Sequence, residues 1–264
     1  MTRRQPRRPP LRSLYVWHRW LGLAAAALTL VLALTGIALN HTEALRLDER
    51  HVRNPLVLAL YGVEAPPVSA ACAAGGRWVL QVGGRLYLGA RELARRAGPL
   101  RGAVPWEGML VVAAGGELLL VTPEGRLAER MGGEAGVPAG LRRVGRTADG
   151  RIVALGAHGA YLADRELLAW RPAPAGMEAA WSRCEAEPPP ELAQAARAAY
   201  RATILPWERV LLDLHSGRIA GRLGPWAMDA AALLLVFLAL SGPWLWWRQR
   251  RKRRAHRRRA APAR

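Results

Sequence analysis

The strongest constraint on this chain is an uncharged apolar run near its start. Leu21–Leu39 consists of 19 residues drawn from Leu, Ala, Val, Ile, Gly and Thr. As an α-helix rising about 1.5 Å per residue, it covers most of the roughly 30 Å hydrocarbon core of a bilayer. The basic segment before it fits a signal peptide, but the run is too long for a typical signal core and no small-residue cleavage site ends it. We therefore predict an uncleaved transmembrane helix over residues 17–42.

A second apolar run lies near the other end. Ala230–Trp247 carries no charge, and its last four residues include Trp244, Trp246 and Trp247 directly before Arg248. Tryptophans at such a position are typical of the interfacial belt of a membrane helix. The sequence predicts the second transmembrane helix over residues 225–247.

The charge is concentrated beside these two runs. The net charge of +19 comes mainly from six arginines in residues 1–39 and ten Lys and Arg in residues 248–264, both without acid, whereas residues 40–225 carry 23 Arg against 19 Asp and Glu. The positive-inside rule then places residues 1–16 and 248–264 in the cytoplasm of a bacterium, with the central segment in the periplasm and the helices in the inner membrane. The basic flanks are predicted to contact anionic lipid rather than a specific nucleic acid.

Residues 43–190 show the pattern of a mainly antiparallel β domain. Short apolar runs alternate with glycine turns, and Trp78–Val82 and Leu86–Leu88 flank the hairpin signal Gly83-Gly84. In all, three such hairpins occur at irregular spacing, which predicts a sandwich or a few propeller-like hairpins. Arg91–Ala97 is predicted as a short helix between the first two. No nucleophile elbow, paired-carboxylate frame or phosphate loop is recognisable, and no metal site is predicted.

The two cysteines both fall in this exported segment. Cys72 and Cys184 flank the β region. An oxidising compartment permits a bridge between them, but spacing alone does not show that they are close, so a disulfide and two free thiols both stay open.

The pattern changes after residue 190. Glu191–Thr203 has a helical composition, and Trp207–Ile219 reads as strand, turn and strand around Ser216-Gly217. We expect residues 191–224 to form a helix followed by a β-hairpin that leads into the second span.

These features resemble the PepSY-associated transmembrane family. The resemblance is carried by the motifs WHRWLGL and LTGIALNHT of residues 17–42, and by LLDLHSGRIAGRLG and LALSGPWLWW near the end of the chain. The segment 191–219 is similar to the shared helix–strand–strand core of PepSY modules. Larger relatives are similar to ferrisiderophore reductases, which have four spans and histidine-bound haem. The resemblance therefore implies haem b, electron transfer and iron uptake.

Three histidines are the candidate haem ligands. His18 and His41 bracket the first span but are 23 residues apart, about 34 Å along a helix, so they cannot share one haem. His41 has His215 as a candidate partner on the outer side. His18 has only His256 or a second subunit, in a homodimer or with a partner membrane protein. The alternative is that these imidazoles are polar residues of the membrane interface.

Two functions follow. The first is a haem-binding electron-transfer protein without its own flavin or nicotinamide site, so its standing as an enzyme is open. The second is a non-enzymatic, membrane-anchored periplasmic module that binds a partner protein, peptide or ligand.

Overall fold

The structure, a computed structural model, describes residues 11–184 and 187–259, with the backbone alone in parts of the two long helices. The helices are α1 (Leu11–Asn40), α2 (Thr42–Leu45), α3 (Pro55–Leu60), α4 (Pro190–Arg201), α5 (Trp207–His215) and α6 (Gly224–Arg259). Short 3₁₀ helices cover Gly133–Ala135 and Arg218–Leu223. The strands are β1 (Val68–Ala74), β2 (Arg77–Val82), β3 (Arg85–Leu88), β4 (Arg91–Ala94), β5 (Leu100–Trp106), β6 (Met109–Ala114), β7 (Glu117–Val121), β8 (Leu127–Met131), β9 (Arg143–Arg146), β10 (Ile152–Gly156), β11 (Gly159–Ala163), β12 (Trp170–Pro172) and β13 (Ala180–Trp181).

The chain divides into two compact units. The helical unit comprises Met1–Arg50 and Pro206–Arg264, and the β unit comprises His51–Leu205. The predicted element 191–224 is therefore not one module. Its first helix, α4, belongs to the β unit, whereas α5 and the segment after it belong to the helical unit.

The helical unit contains the two predicted spans. Segments long and apolar enough to cross a membrane are found at Gly22–Asn40, within the predicted span 17–42, and at Trp207–Phe237, which overlaps the predicted span 225–247 only over residues 225–237. Along α1 the large side chains are left uncovered, with Leu30 60% and Ile37 62% exposed. A helix that presents leucines outward over its whole apolar length suits a lipid environment rather than a water-facing surface.

The β unit contains three antiparallel sheets; the first two are meanders, and in the third β13 crosses over to pair with β9. The first sheet has the order β1-β2-β3-β4, the second β5-β6-β7-β8, and the third β12-β11-β10-β9-β13. Two apolar cores separate them, one between the first and second sheets and one between the second and third. Three sheets packed in series match the predicted propeller-like hairpins more closely than a two-sheet sandwich.

The central strands β6 and β7 of the second sheet are buried on both faces, which explains their continuous apolar sequences. In β6, Leu110 and Val112 join the first core, whereas Val111 and Ala113 join the second. This is the period of two expected of a strand, with both faces apolar because both are covered.

The first strands of the three sheets meet. β5 packs against both β1 and β9. The approach is close at Gly102, where a Cβ atom would lie 2.7 Å from Val144 Cγ1. At the same place Ser182 Oγ accepts a hydrogen bond of 2.8 Å from the Ala103 N–H and ties the segment after β13 to β5.

Helix α4 covers the outer face of the first sheet. Ala196 packs with Val82 and Tyr87 in a third small core. The predicted helix at 191–203 is thus confirmed, beginning at Pro190 and ending at Arg201.

Two local predictions were wrong. Residues 207–215, predicted as a strand, form α5: a spacing of three places Val210 and Asp213 on one helical face, which is buried, and α5 packs against α1. Residues 91–94, predicted as part of a helix, form β4, because they pair with the edge of β3 and bury Leu93 in the first core.

Candidate functional site

The predicted haem ligands lie at different points of the helical unit. His41 is exposed and occupies the N-cap position of α2, directly after α1. His215 is the last residue of α5. His18 lies within α1, and its side chain is outside the described residues, as is that of His256.

His215 contacts the first span rather than the chain beyond it. Its Nδ1 lies 2.9 Å from Oγ1 of Thr35, a residue only 5% exposed. Thr35 precedes Asn40, the last residue of α1, by five positions, or about 7.5 Å of helix. The imidazole therefore sits beside the apolar run of α1, more deeply than the sequence predicted.

The hydrogen-bond network favours one tautomer of His215. Thr35 Oγ1 lies 2.6 Å from the carbonyl oxygen of Val31 and 3.3 Å from that of Leu32, and both of these groups can only accept. When the single hydroxyl proton goes to Val31, the nearest acceptor, the Thr35 oxygen accepts from the Nδ1–H of His215. In the neutral ring the lone pair is then on Nε2, the nitrogen that can bind an iron or accept a proton.

The imidazole also uses the space that the small pair Thr35-Gly36 provides. A Cβ atom added at Gly36 would lie 3.5 Å from Cε1 of His215. In the structure the planar group beside Gly36 is the His215 ring.

Sequence reasoning missed a second polar group on α5. Asp213 is 5% exposed, and its Oδ2 accepts a hydrogen bond of 3.0 Å from Arg209 Nε, one turn earlier. Its other oxygen, Oδ1, and the hydroxyl of Ser216 are buried without a partner among the described residues. Leaving a buried oxygen unsatisfied costs about 1–3 kcal/mol. The sequence does carry a signal for this pair, the Asp-x-x-Ser spacing of Asp213 and Ser216, which puts them on the same side of a helix. The strand prediction put them on opposite faces instead.

The cysteines and the remaining histidine belong to the β unit. Cys72 of β1 and Cys184 form a disulfide with a Cα–Cα separation of 4.1 Å. It joins the first sheet to the segment that follows the third. His158 lies exposed in the turn between β10 and β11.

Taken together, a lipid-suited helical pair and an antiparallel β unit define a membrane protein with a folded domain inserted between its spans. Among the described residues, no group of three or more His, Cys, Asp or Glu could hold a metal ion.

The chain belongs to the PepSY-associated TM region family, whose model matches residues 15–264. The suspected family is thereby confirmed. No curated protein and no solved structure matches the chain.

Proposed function

We propose that this PepSY-associated membrane protein binds haem b and carries electrons at the outer side of the bacterial inner membrane, with both termini in the cytoplasm. The single observation that supports the proposal is the hydrogen bond from His215 Nδ1 to Thr35 Oγ1. Histidines that bind metals ordinarily donate their second ring N–H to a protein acceptor, which fixes the ring and directs Nε2 at the metal. His215 fits this requirement for an axial ligand.

His41 is the proposed second ligand. Its exposed imidazole has no partner among the described side chains, and it follows Thr35 by six residues, about 9 Å of helix. When bound, haem b supplies a one-electron carrier. Two imidazole ligands leave no open coordination position, which suits electron transfer rather than ligand activation.

The chain's own residues orient the His215 ring and leave room for it. Thr35 holds the His215 ring, and Gly36 leaves space for it. The electron donor is proposed to be a quinone or a partner subunit. His18, near the inner end of α1, would serve a second haem only with a ligand from another subunit. A ferric complex outside the membrane is the acceptor that the family resemblance implies.

Absorbance spectra test the proposal. The full chain is purified in detergent from haem-replete cells, and oxidised and dithionite-reduced spectra are recorded. We expect a Soret band and reducible α-bands, and we expect both His41→Ala and His215→Ala to remove the low-spin spectrum. The matched control, His158→Ala, keeps it because that side chain lies in an exposed turn of the β unit. Haem-free wild-type protein, or an unchanged spectrum in His215→Ala, overturns the proposal.

Thr35 provides a sharper test of the geometry. Thr35→Val keeps the shape but removes the acceptor of the Nδ1–H, whereas Thr35→Ser keeps the hydroxyl. Loss of the acceptor makes the imidazole a weaker donor to ferric iron, so the midpoint potential should rise in Thr35→Val and stay near wild type in Thr35→Ser. Equal potentials in all three proteins would show that Thr35 does not orient a ligand.

The second candidate function is a membrane-anchored binding module. It is favoured by an open cavity where the first strands of the three sheets meet in the β unit. Haem-free protein that binds a ligand at this cavity would support the module instead of the electron-transfer function.

A further inference from the structure

Four arginines surround one cavity of the β unit. The cavity has a volume of about 450 Å³ and is also lined by Cys184 of the disulfide. The arginines are Arg101, Arg142, Arg143 and Arg183.

Their convergence is a property of the fold. Arg101 lies in β5, Arg143 begins β9, and Arg183 follows β13, so tertiary packing brings together three separate parts of the chain. The Ser182–Ala103 hydrogen bond and the Cys72–Cys184 bridge both hold the segment that carries Arg183. Tertiary contacts therefore hold the backbone that carries the cluster in place.

The cluster has no described counter-charge. None of the four guanidinium groups forms an ion pair with a carboxylate in the described residues, and the cavity lining contains no Asp or Glu. Three other arginines of the β unit do form ion pairs among the described residues, for example Arg85 with Glu92 at 3.3 Å. Residues 40–225 carry 23 Arg and 19 acids, so the excess over the whole segment is only four. All four arginines are exposed, so water screens their mutual repulsion, but together they make the cavity locally positive and attractive to an anion.

One guanidinium is already oriented. Arg143 stacks over the ring of Trp181 at 5.4 Å from its centroid. A cation–π contact of this kind restricts the side chain while its N–H groups stay available for an acceptor.

We infer that this arginine cavity binds a small, multiply charged oxyanion compound that carries phosphate or carboxylate groups. The planar guanidinium donates two parallel hydrogen bonds to such groups, and the volume suits a ligand with at least two of them. The inference goes beyond the proposed haem function and does not depend on His215.

Isothermal titration calorimetry of the full chain in non-ionic detergent tests the inference, with pyrophosphate and citrate as probes at constant ionic strength. The variant Arg101→Gln/Arg183→Gln removes two cavity charges. The matched control Arg126→Gln/Arg171→Gln removes two exposed arginines from elsewhere in the β unit. We expect the cavity variant to bind at least about 10-fold more weakly, a loss of about 1.4 kcal/mol, because it lacks two of the charged donors that would contact the anion.

The outcomes separate the alternatives. No binding by the wild type at millimolar probe, or equal weakening in both variants, overturns the inference, provided that circular dichroism shows folded protein. Unchanged binding in His215→Ala is expected and keeps the test independent of the haem proposal. Competition from anionic but not zwitterionic lipid in nanodiscs would identify a lipid headgroup as the source of the phosphate.

An internal counter-charge needs its own control. Glu185, which follows Cys184, lies outside the described residues. If Glu185 neutralises the cluster, only Glu185→Gln will bind pyrophosphate, and the inference fails. Binding by the wild type, strengthened or unchanged in Glu185→Gln, supports it.

Discussion

Removal of the Cys72–Cys184 bridge should strongly destabilise the β unit. The two cysteines are separated by 112 residues, so the bridge closes a very long loop in the unfolded chain. In the chain-entropy model a loop of this length costs the unfolded state about 16 cal/mol/K, or about 4.8 kcal/mol at 25 °C. For a unit the size of His51–Leu205 this corresponds to a fall in Tm of roughly 10–20 °C.

The assay compares wild type, Cys184→Ala and Cys72→Ala/Cys184→Ala, as full chains in detergent. Urea unfolding is followed by circular dichroism in the β region of the spectrum. The single and double variants should lose similar amounts of unfolding free energy, because the bridge is absent from both. The double variant adds only the loss of a buried sulfur at Cys72, about 1 kcal/mol.

Reduction of the wild type provides the matched control, since it opens the bridge without changing side-chain volume. It should reproduce the loss seen in Cys184→Ala. A loss below about 1 kcal/mol in all three cases would refute the reasoning, because the loop would then gain little freedom when the bridge is opened.

Three further outcomes are expected. An alkaline-phosphatase fusion after Gly133 should be active and one after Ala261 inactive; activity at Ala261 would refute the positive-inside topology. Burial raises the pKa of Tyr87, so the folded state keeps a proton that the unfolded chain loses near pH 10. Stability to urea should therefore fall more between pH 9 and 11 in wild type than in Tyr87→Phe, and equal losses would contradict this. Gly98→Ala should lower the unfolding free energy by about 1–3 kcal/mol, because its Cβ would lie 2.3 Å from the Gly115 backbone; Gly133→Ala, with open space around it, should change little, and equal effects of the two would contradict the packing.

The spans and most strands could be predicted because their signals are local. The 19 apolar residues of Leu21–Leu39 need no partner to indicate a membrane helix. The Gly83-Gly84 turn likewise fixes its hairpin, and the structure pairs β2 with β3 around it. The helix–strand choice at residues 207–215 was not local. A nine-residue segment that mixes apolar and ionisable residues fits either structure, and packing against α1 decides it.

The arginine cavity could not have been predicted from spacing. Arg101 and Arg183 are 82 positions apart, and each alone is an ordinary exposed arginine. Only the meeting of first strands and the disulfide brings them to one place. A property that depends on the sum of four charges becomes visible only when the tertiary structure defines which charges are neighbours.

The depth of His215 also bears on function. An apolar pair would pack α5 against α1 without removing an imidazole and a hydroxyl from water, and polar groups within membrane spans are costly. The Thr35–His215 pair reduces this cost on one side of the ring only, because it satisfies Nδ1 and leaves Nε2 without a partner among the described side chains. If packing were the only role of the Thr35–His215 pair, the double variant Thr35→Val/His215→Leu should fold as well as wild type and keep all other properties of the wild type. A role in ligand binding predicts instead that the double variant folds but loses the haem spectrum.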